Sequence, residues 1–255
     1  MEIIKSEKLY INKFKFLERK KLEAKVIKLK VCGIRSIEEI EELKSLDIDY
    51  FGCIFEKSPR QVSVELAREI TEIAHKAGKK TVGVFVNESV ENILEIVAKT
   101  GIDCVQLHGS ETPEYCLELS KKFDKMNSDR KINIWKVFLV KDELPNIEDY
   151  LGCIEYPLFD AKGENRGGNG ITFDWNILKD LKGQKFILAG GLSKENIADA
   201  LKYSPIILDV NSRVEVGDRK NKGLVEEIIN LIGGDIFEKR REKFGGRGFN
   251  VIFAI

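Results

Sequence analysis

The sequence predicts an α/β fold, a (β/α)8 TIM barrel in a single domain with short N- and C-terminal extensions. Short, apolar, β-branched runs alternate with amphipathic stretches eight times between Lys28 and Gly233, which is the pattern of buried parallel strands and the helices that cover them. The period is roughly 25 residues, near that of a (β/α)8 barrel. The turn after the first run, KVCGIRS, lacks the GxGxxG fingerprint that the rival doubly wound open sheet usually carries there. The predicted boundaries are an extension over 1–27, the barrel over 28–232 and a tail over 233–255.

The elements follow in order. KLKVCGI (28–34) reads as a strand, and Ser36 with Glu39 reads as the capping box of a helix carrying Ile37, Ile40, Leu43 and Leu46 at helical spacing. DYFGCIF is a strand, and SVELAREITEIAHKAG a helix ending at Gly78. KTVGVFV is a strand, and SVENILEIVAKTG a helix ending at Gly101. DCVQLHG is a strand, followed by a helix that Pro113 opens from the first helical position. INIWKVFLV is a strand, and ELPNIEDYLG a short, weaker helix. IEYPLFDA and DWNILKDLKG form the sixth strand and helix. KFILAGG is the seventh strand, and SKENIADALKY a helix with Ser193 as its cap. PIILDVN and LVEEIINLIGG complete the set. Residues 1–27 are Lys-rich with scattered aromatics, and the basic tail reads as a loosely docked terminus.

Composition narrows the function classes. Lys plus Arg equals Asp plus Glu, 42 against 42, which argues against a nucleic-acid binder. The five cysteines, Cys32, Cys53, Cys104, Cys116 and Cys153, lack the close spacing of a zinc or redox motif. They suit reduced thiols in the cytosol. No signal peptide is read at the N-terminus, and no apolar run approaches the ~18 residues of a membrane span. The expectation is a cytoplasmic protein with no membrane partner and no metal.

A barrel gathers its chemistry at the C-terminal ends of its strands. Cys32 ends the first strand, Gln106 and His108 the fourth, and Asp160 the sixth. Asp209, Asn211 and Ser212 end the eighth, and Arg60 lies in the loop after the second, stiffened by Pro59. Asp160 opens the loop AKGENRGGNG, whose glycines allow tight folding close to a ligand. LAGGLSKEN and LDVNSRVE stand where such barrels often hold a phosphate; Gly190 and Gly191 offer N–H groups, and a helix N-terminus at Ser193 would attract an anion. Each residue also has a plainer reading. Cys32 is small core filler, Asp160 a turn residue, Arg60 a surface cation and His108 a structural hydrogen-bonder. Asp209 is either an orienter of Arg60 or substrate, or half of an ion pair inside the bowl. An acid, a thiol, a guanidinium and a phosphate seat around one rim favour chemistry.

Together KVCGI, SPRQV, VQLHG, FDAKGENRGGNGITFDW, LAGGLSKENI and LDVNSRVE resemble the phosphoribosylanthranilate isomerase family of tryptophan biosynthesis, in order over residues 28–232. The resemblance implies an Amadori rearrangement of N-(5-phosphoribosyl)anthranilate to 1-(2-carboxyphenylamino)-1-deoxyribulose 5-phosphate. It implies Asp160 as general acid on the ring oxygen and Cys32 as general base at C2′. Arg60 matches the arginine at the anthranilate carboxylate, and Asp209 a strand-eight acid at the substrate. Gln106 and His108 are further substrate-binding candidates, and Gly190, Gly191, Asn211 and Ser212 match the phosphate loops. No cofactor is implied, and the chain is expected as a monomer or homodimer. Asn211 stands where the family usually has serine, and Arg213 where it has glycine, whose backbone freedom a Cβ would restrict. The alternatives are a non-catalytic phosphate-binding barrel and another phosphosugar enzyme such as indole-3-glycerol phosphate synthase. The latter needs a catalytic lysine at a strand end, where none stands out.

Overall fold

The computed structural model describes residues 27–126, 130–161, 172–181 and 183–243. Residues 1–26 of the predicted N-terminal extension, the glycine-rich loop after Ala161 and the last residues of the tail lie outside them. Eight parallel strands close into a barrel in chain order. They are β1 (Lys28–Cys32), β2 (Tyr50–Ile54), β3 (Lys80–Phe85), β4 (Cys104–Leu107), β5 (Asn133–Val140), β6 (Tyr156–Ala161), β7 (Ile187–Leu188) and β8 (Ile207–Val210). β8 pairs with β1, Asp209 beside Lys30 and Val210 beside Val31, and this closes the ring.

Strand alternation divides the core in two. Tyr50, Val82, Cys104, Trp135, Leu158 and Ile207 fill the barrel interior. Val31, Phe51, Cys53, Phe159, Leu208 and Val210 point outward beneath the helices. Inward residues recur every second position, so Lys30 and Cys32, Gln106, Asp160 and Asp209 fall on the interior face of their strands. Cys53, Cys104, Cys116 and Cys153 are buried packing residues, as expected.

The first four helices match the predicted rhythm: α1 (Ile37–Leu43), α2 (Val64–Lys76), α3 (Val90–Thr100) and α4 (Pro113–Lys125). Ser36, Ser63, Ser89 and Thr112 each accept an N–H of the first turn, satisfying donors a helix otherwise leaves open. Gly78 and Gly101, at φ +71° and +72°, end α2 and α3. Half of the capping box is corrected. The Glu39 carboxylate accepts the N–H of Arg35 and that of Lys220 rather than returning to Ser36.

The second half of the chain departs further. The helix expected over 143–152 is a 3-10 turn, Glu148–Tyr150, confined between Pro145 and Gly152. The helix expected over 174–183 is a 3-10 segment, Trp175–Leu181, with Gly183 beyond it at φ +90°. Ser193 does not cap a helix. Asn196 folds back, its side chain accepting Ser193 N–H and donating to Gly191 O, and α5 starts only at Ile197 and runs to Leu201. An Asn side chain competing for local backbone groups delays the helix in this way. The last helix, α6 (Lys222–Lys243), runs past the Gly233 and Gly234 predicted to end it. A short hairpin, β9 (Glu215–Val216) with β10 (Arg219–Lys220), precedes it and was not anticipated.

Candidate active site

The C-terminal mouth of the barrel gathers the sequence-predicted residues. Cys32 ends β1, and its sulfur fills space that Gly52 on β2 leaves free; a Cβ on Gly52 would stand 2.8 Å from it. One inward position below, Lys30 is fully buried. Its ammonium donates to Asp209 Oδ2 at 2.6 Å and to Gln106 Oε1 at 2.9 Å. Asp209 therefore does not orient Arg60; it pairs with Lys30. Gln106 supports the same ammonium from β4.

Asp160 ends β6 and is 9% exposed. Burial, with the Asp209 carboxylate adding to it, pushes the Asp160 carboxyl up to about 7, against the Ala161 N–H and Lys30. His108, just past β4, brings Nε2 to 3.7 Å from Asp160 Oδ2, long for a hydrogen bond. Gly190 is pressed against the same carboxyl: at φ +86°, a Cβ there would stand 2.8 Å from Asp160 Oδ1 and 2.7 Å from Ala161 N. Burial also pushes the Cys32 thiol above its ordinary value, and Lys30 pulls against that shift.

Arg60 is held in two-pronged fashion by Glu215 of the hairpin, Nε and Nη2 donating at 2.8 and 2.6 Å. Lys220 binds the same carboxylate at 2.6 Å and reaches the Asn211 side-chain oxygen at 2.8 Å. These contacts link the loop after β2 to the turn after β8. Gly33, at φ +79°, lies between them; a Cβ would meet Arg60 Cδ at 2.8 Å and Asn211 Oδ1 at 3.1 Å.

Gly190 and Gly191 both take positive φ, +86° and +61°, and among the described residues no carbonyl accepts their N–H groups. Ser212 and Arg213 lie in the 3-10 turn Ser212–Val214. Arg213 has no positive φ, so its Cβ does not strain the turn where the family usually has glycine. The structure thus brings together Cys32, Gln106, His108, Asp160 and Asp209, and ties Arg60 to Asn211. Lys30, Glu215 and Lys220 were missed. Lys30 had a signal, a cation two residues before Cys32 on an inward-facing strand.

A family model of N-(5'-phosphoribosyl)anthranilate isomerase matches residues 29–231. The chain belongs to the N-(5'-phosphoribosyl)anthranilate isomerase family. The member from Campylobacter jejuni subsp. jejuni is 40% identical over 207 residues, 81% of this chain and 98% of that protein. A crystal structure of the Thermotoga maritima phosphoribosylanthranilate isomerase, described as monomers generated from a dimeric enzyme, is 30% identical with a TM-score of 0.65. It covers 82% of this chain and 99% of its own. Another phosphoribosylanthranilate isomerase structure, in complex with reduced 1-(o-carboxyphenylamino)-1-deoxyribulose 5-phosphate, is 28% identical with a TM-score of 0.64, covering 82% and 99%. The phosphoribosylanthranilate isomerase barrel expected from the motifs is therefore the fold of this chain, and the chain is an enzyme of the isomerase class. Among the described residues no helix is long and apolar enough to cross a membrane.

Proposed function

We propose that the chain converts N-(5′-phosphoribosyl)anthranilate to 1-(2-carboxyphenylamino)-1-deoxyribulose 5-phosphate in tryptophan biosynthesis. The observation that carries this reading is a thiol and a raised-pKa carboxyl at the ends of β1 and β6, both facing inward at one mouth. Asp160, protonated up to about pH 7, gives its proton to the furanose ring oxygen. The C1′–O bond breaks as the anilino nitrogen forms C=N. The Cys32 thiolate then takes the proton from C2′. The C–H electron pair becomes the C1′=C2′ bond, and the iminium pair returns to nitrogen. The enolamine gains a proton at C1′ and loses one from its 2′-hydroxyl to give the ketone. Only protons move, and no atom is gained or lost.

The remaining assignments follow the groups on offer. Arg60 faces the anthranilate carboxylate, its Nε and Nη2 already committed to Glu215. Asp209 and His108 serve the sugar; Asp209 Oδ1 is buried without a hydrogen-bond partner among the described residues and is available to a substrate hydroxyl. Gln106 acts through Lys30. The N–H groups of Gly190 and Gly191, with the Asn211–Ser212 turn, receive the phosphate. The reading needs no cofactor and places the enzyme in the cytoplasm as a monomer or homodimer. Incubation of the purified chain with N-(5′-phosphoribosyl)anthranilate should yield a product of unchanged mass. Given the aminoketose 1-(2-carboxyphenylamino)-1-deoxyribulose 5-phosphate instead, loss of water and CO2 would indicate indole-3-glycerol phosphate synthase chemistry, and no conversion of either compound would indicate a binding barrel.

A further inference from the structure

A lysine buried inside a barrel needs a reason, because removing an ammonium from water costs several kcal/mol even when a carboxylate meets it. Lys30 is fully buried, and its three N–H donors are only partly used. Asp209 Oδ2 takes one at 2.6 Å and Gln106 Oε1 another at 2.9 Å. Among the described residues no further nitrogen or oxygen accepts the third. The next inward group on the same strand is the Cys32 sulfur, and Gly52 places no side chain between β2 and that sulfur.

We propose that Lys30 is a positioning residue for Cys32: Asp209 and Gln106 hold its ammonium beneath the sulfur, where it is the fixed cation that the thiolate needs as a partner. The proposal rests on the reading of Cys32 as the base, but its physical content concerns the thiol alone. The sulfur is buried, which disfavours the anion. Lys30 opposes this most, Lys220 on β10 adds a smaller share, and Asp209 works in the other direction. Arg60, from the loop after β2, also feels the sulfur's charge. Lys30 in turn keeps its proton despite burial, through Asp209 and Cys32. Loss of Lys30 therefore leaves Cys32 a neutral thiol over more of the pH range.

The test is the pH dependence of Cys32 alkylation by iodoacetamide in the full chain, read by peptide mass so that the other four cysteines are resolved. Lys30→Met should shift the midpoint upward by about one unit or more, a roughly tenfold slower reaction at neutral pH. Lys30→Arg, which keeps the charge, should restore most of that rate. Asp209→Asn should shift the midpoint downward, because the Asp209 carboxylate itself raises the thiol while Gln106 still holds the ammonium. An unchanged midpoint in Lys30→Met, equal midpoints in the Met and Arg variants, or an upward shift in Asp209→Asn would overturn the proposal. Should Lys30→Met fail to fold, the Arg and Asn variants decide by the direction of their shifts. Normal turnover of a Cys32→Ala variant would remove Cys32 from the chemistry while leaving the alkylation result standing, so the two failures are distinct.

Discussion

An aspartate that keeps its proton up to about pH 7 can donate it at neutrality, and it burdens the fold above that pH. The unfolded chain ionises the same carboxyl near 3.8. Between those values the folded state binds a proton that the unfolded state releases. The stability tied to Asp160 is therefore full below about pH 4 and is lost as pH rises through about 7, by on the order of 4 kcal/mol. Asp160→Asn, which cannot ionise, should raise the urea midpoint more at about pH 8.5 than at about pH 5. An equal shift at both would contradict the assigned protonation. Gly190 shows the same crowding from the other side. Gly190→Ala should cost about 1–3 kcal/mol through its positive φ, and should lower turnover because its Cβ meets Asp160 Oδ1; unchanged turnover would mean the carboxyl has room to move.

At the scale of elements, buried charge ties loops to one another. Glu111 accepts the N–H of Asn87 at 2.8 Å and that of Gly109 at 2.9 Å, and it pairs with buried Lys136 at 3.1 Å. It thereby joins the loops after β3 and β4 beside His108. Glu111→Ala leaves both N–H groups without their acceptor. It also takes the only carboxylate partner, among the described residues, of the buried Lys136 ammonium, which keeps the Gly109 and Val137 carbonyls. It should cost about 3–5 kcal/mol in urea unfolding, and a loss below about 1 kcal/mol would show that water replaces the carboxylate. None of this was visible in the sequence, because Glu111 and Lys136 are ordinary charges until the barrel brings them together. The first four helices were legible because Ser36, Ser63, Ser89, Gly78 and Gly101 mark their ends with local chemistry. The 3-10 segments after β5 and β6 and the late start of α5 were not. Those stretches are short, and Pro145 and the Asn196 turn override their helical spacing. The hairpin that carries Glu215 and Lys220 has strands of two residues, too short to show any period.

Across the whole molecule, the barrel was legible because a parallel strand buried on both faces leaves a plain apolar run, repeated eight times. The rim was legible as a set of strand ends, and Cys32, His108, Asp160 and Asp209 meet there. What the rim residues do to one another was not legible, since pairing across the barrel depends on register: Lys30 lies beside Asp209 only because β8 closes on β1. The same closure sets Lys30 and Asp209 where both Asp160 and Cys32 feel their charge. Asp160 loses its proton near 7, below the raised value of the Cys32 thiol, so the competent state, acid protonated and thiol ionised, is a minority of the molecules. kcat/KM should rise with pH up to about 7, stay level, and fall once the thiol is fully ionised. Profiles of Asp160→Asn lacking the limb near 7 would assign it.

The central claim is that Cys32 and Asp160 move the two protons of one isomerisation, and turnover of N-(5′-phosphoribosyl)anthranilate by Cys32→Ala and Asp160→Asn tests it most directly, with unfolding midpoints as the control for fold. The account predicts that each folded variant loses at least about 100-fold in kcat, and near-normal turnover by either one would contradict it.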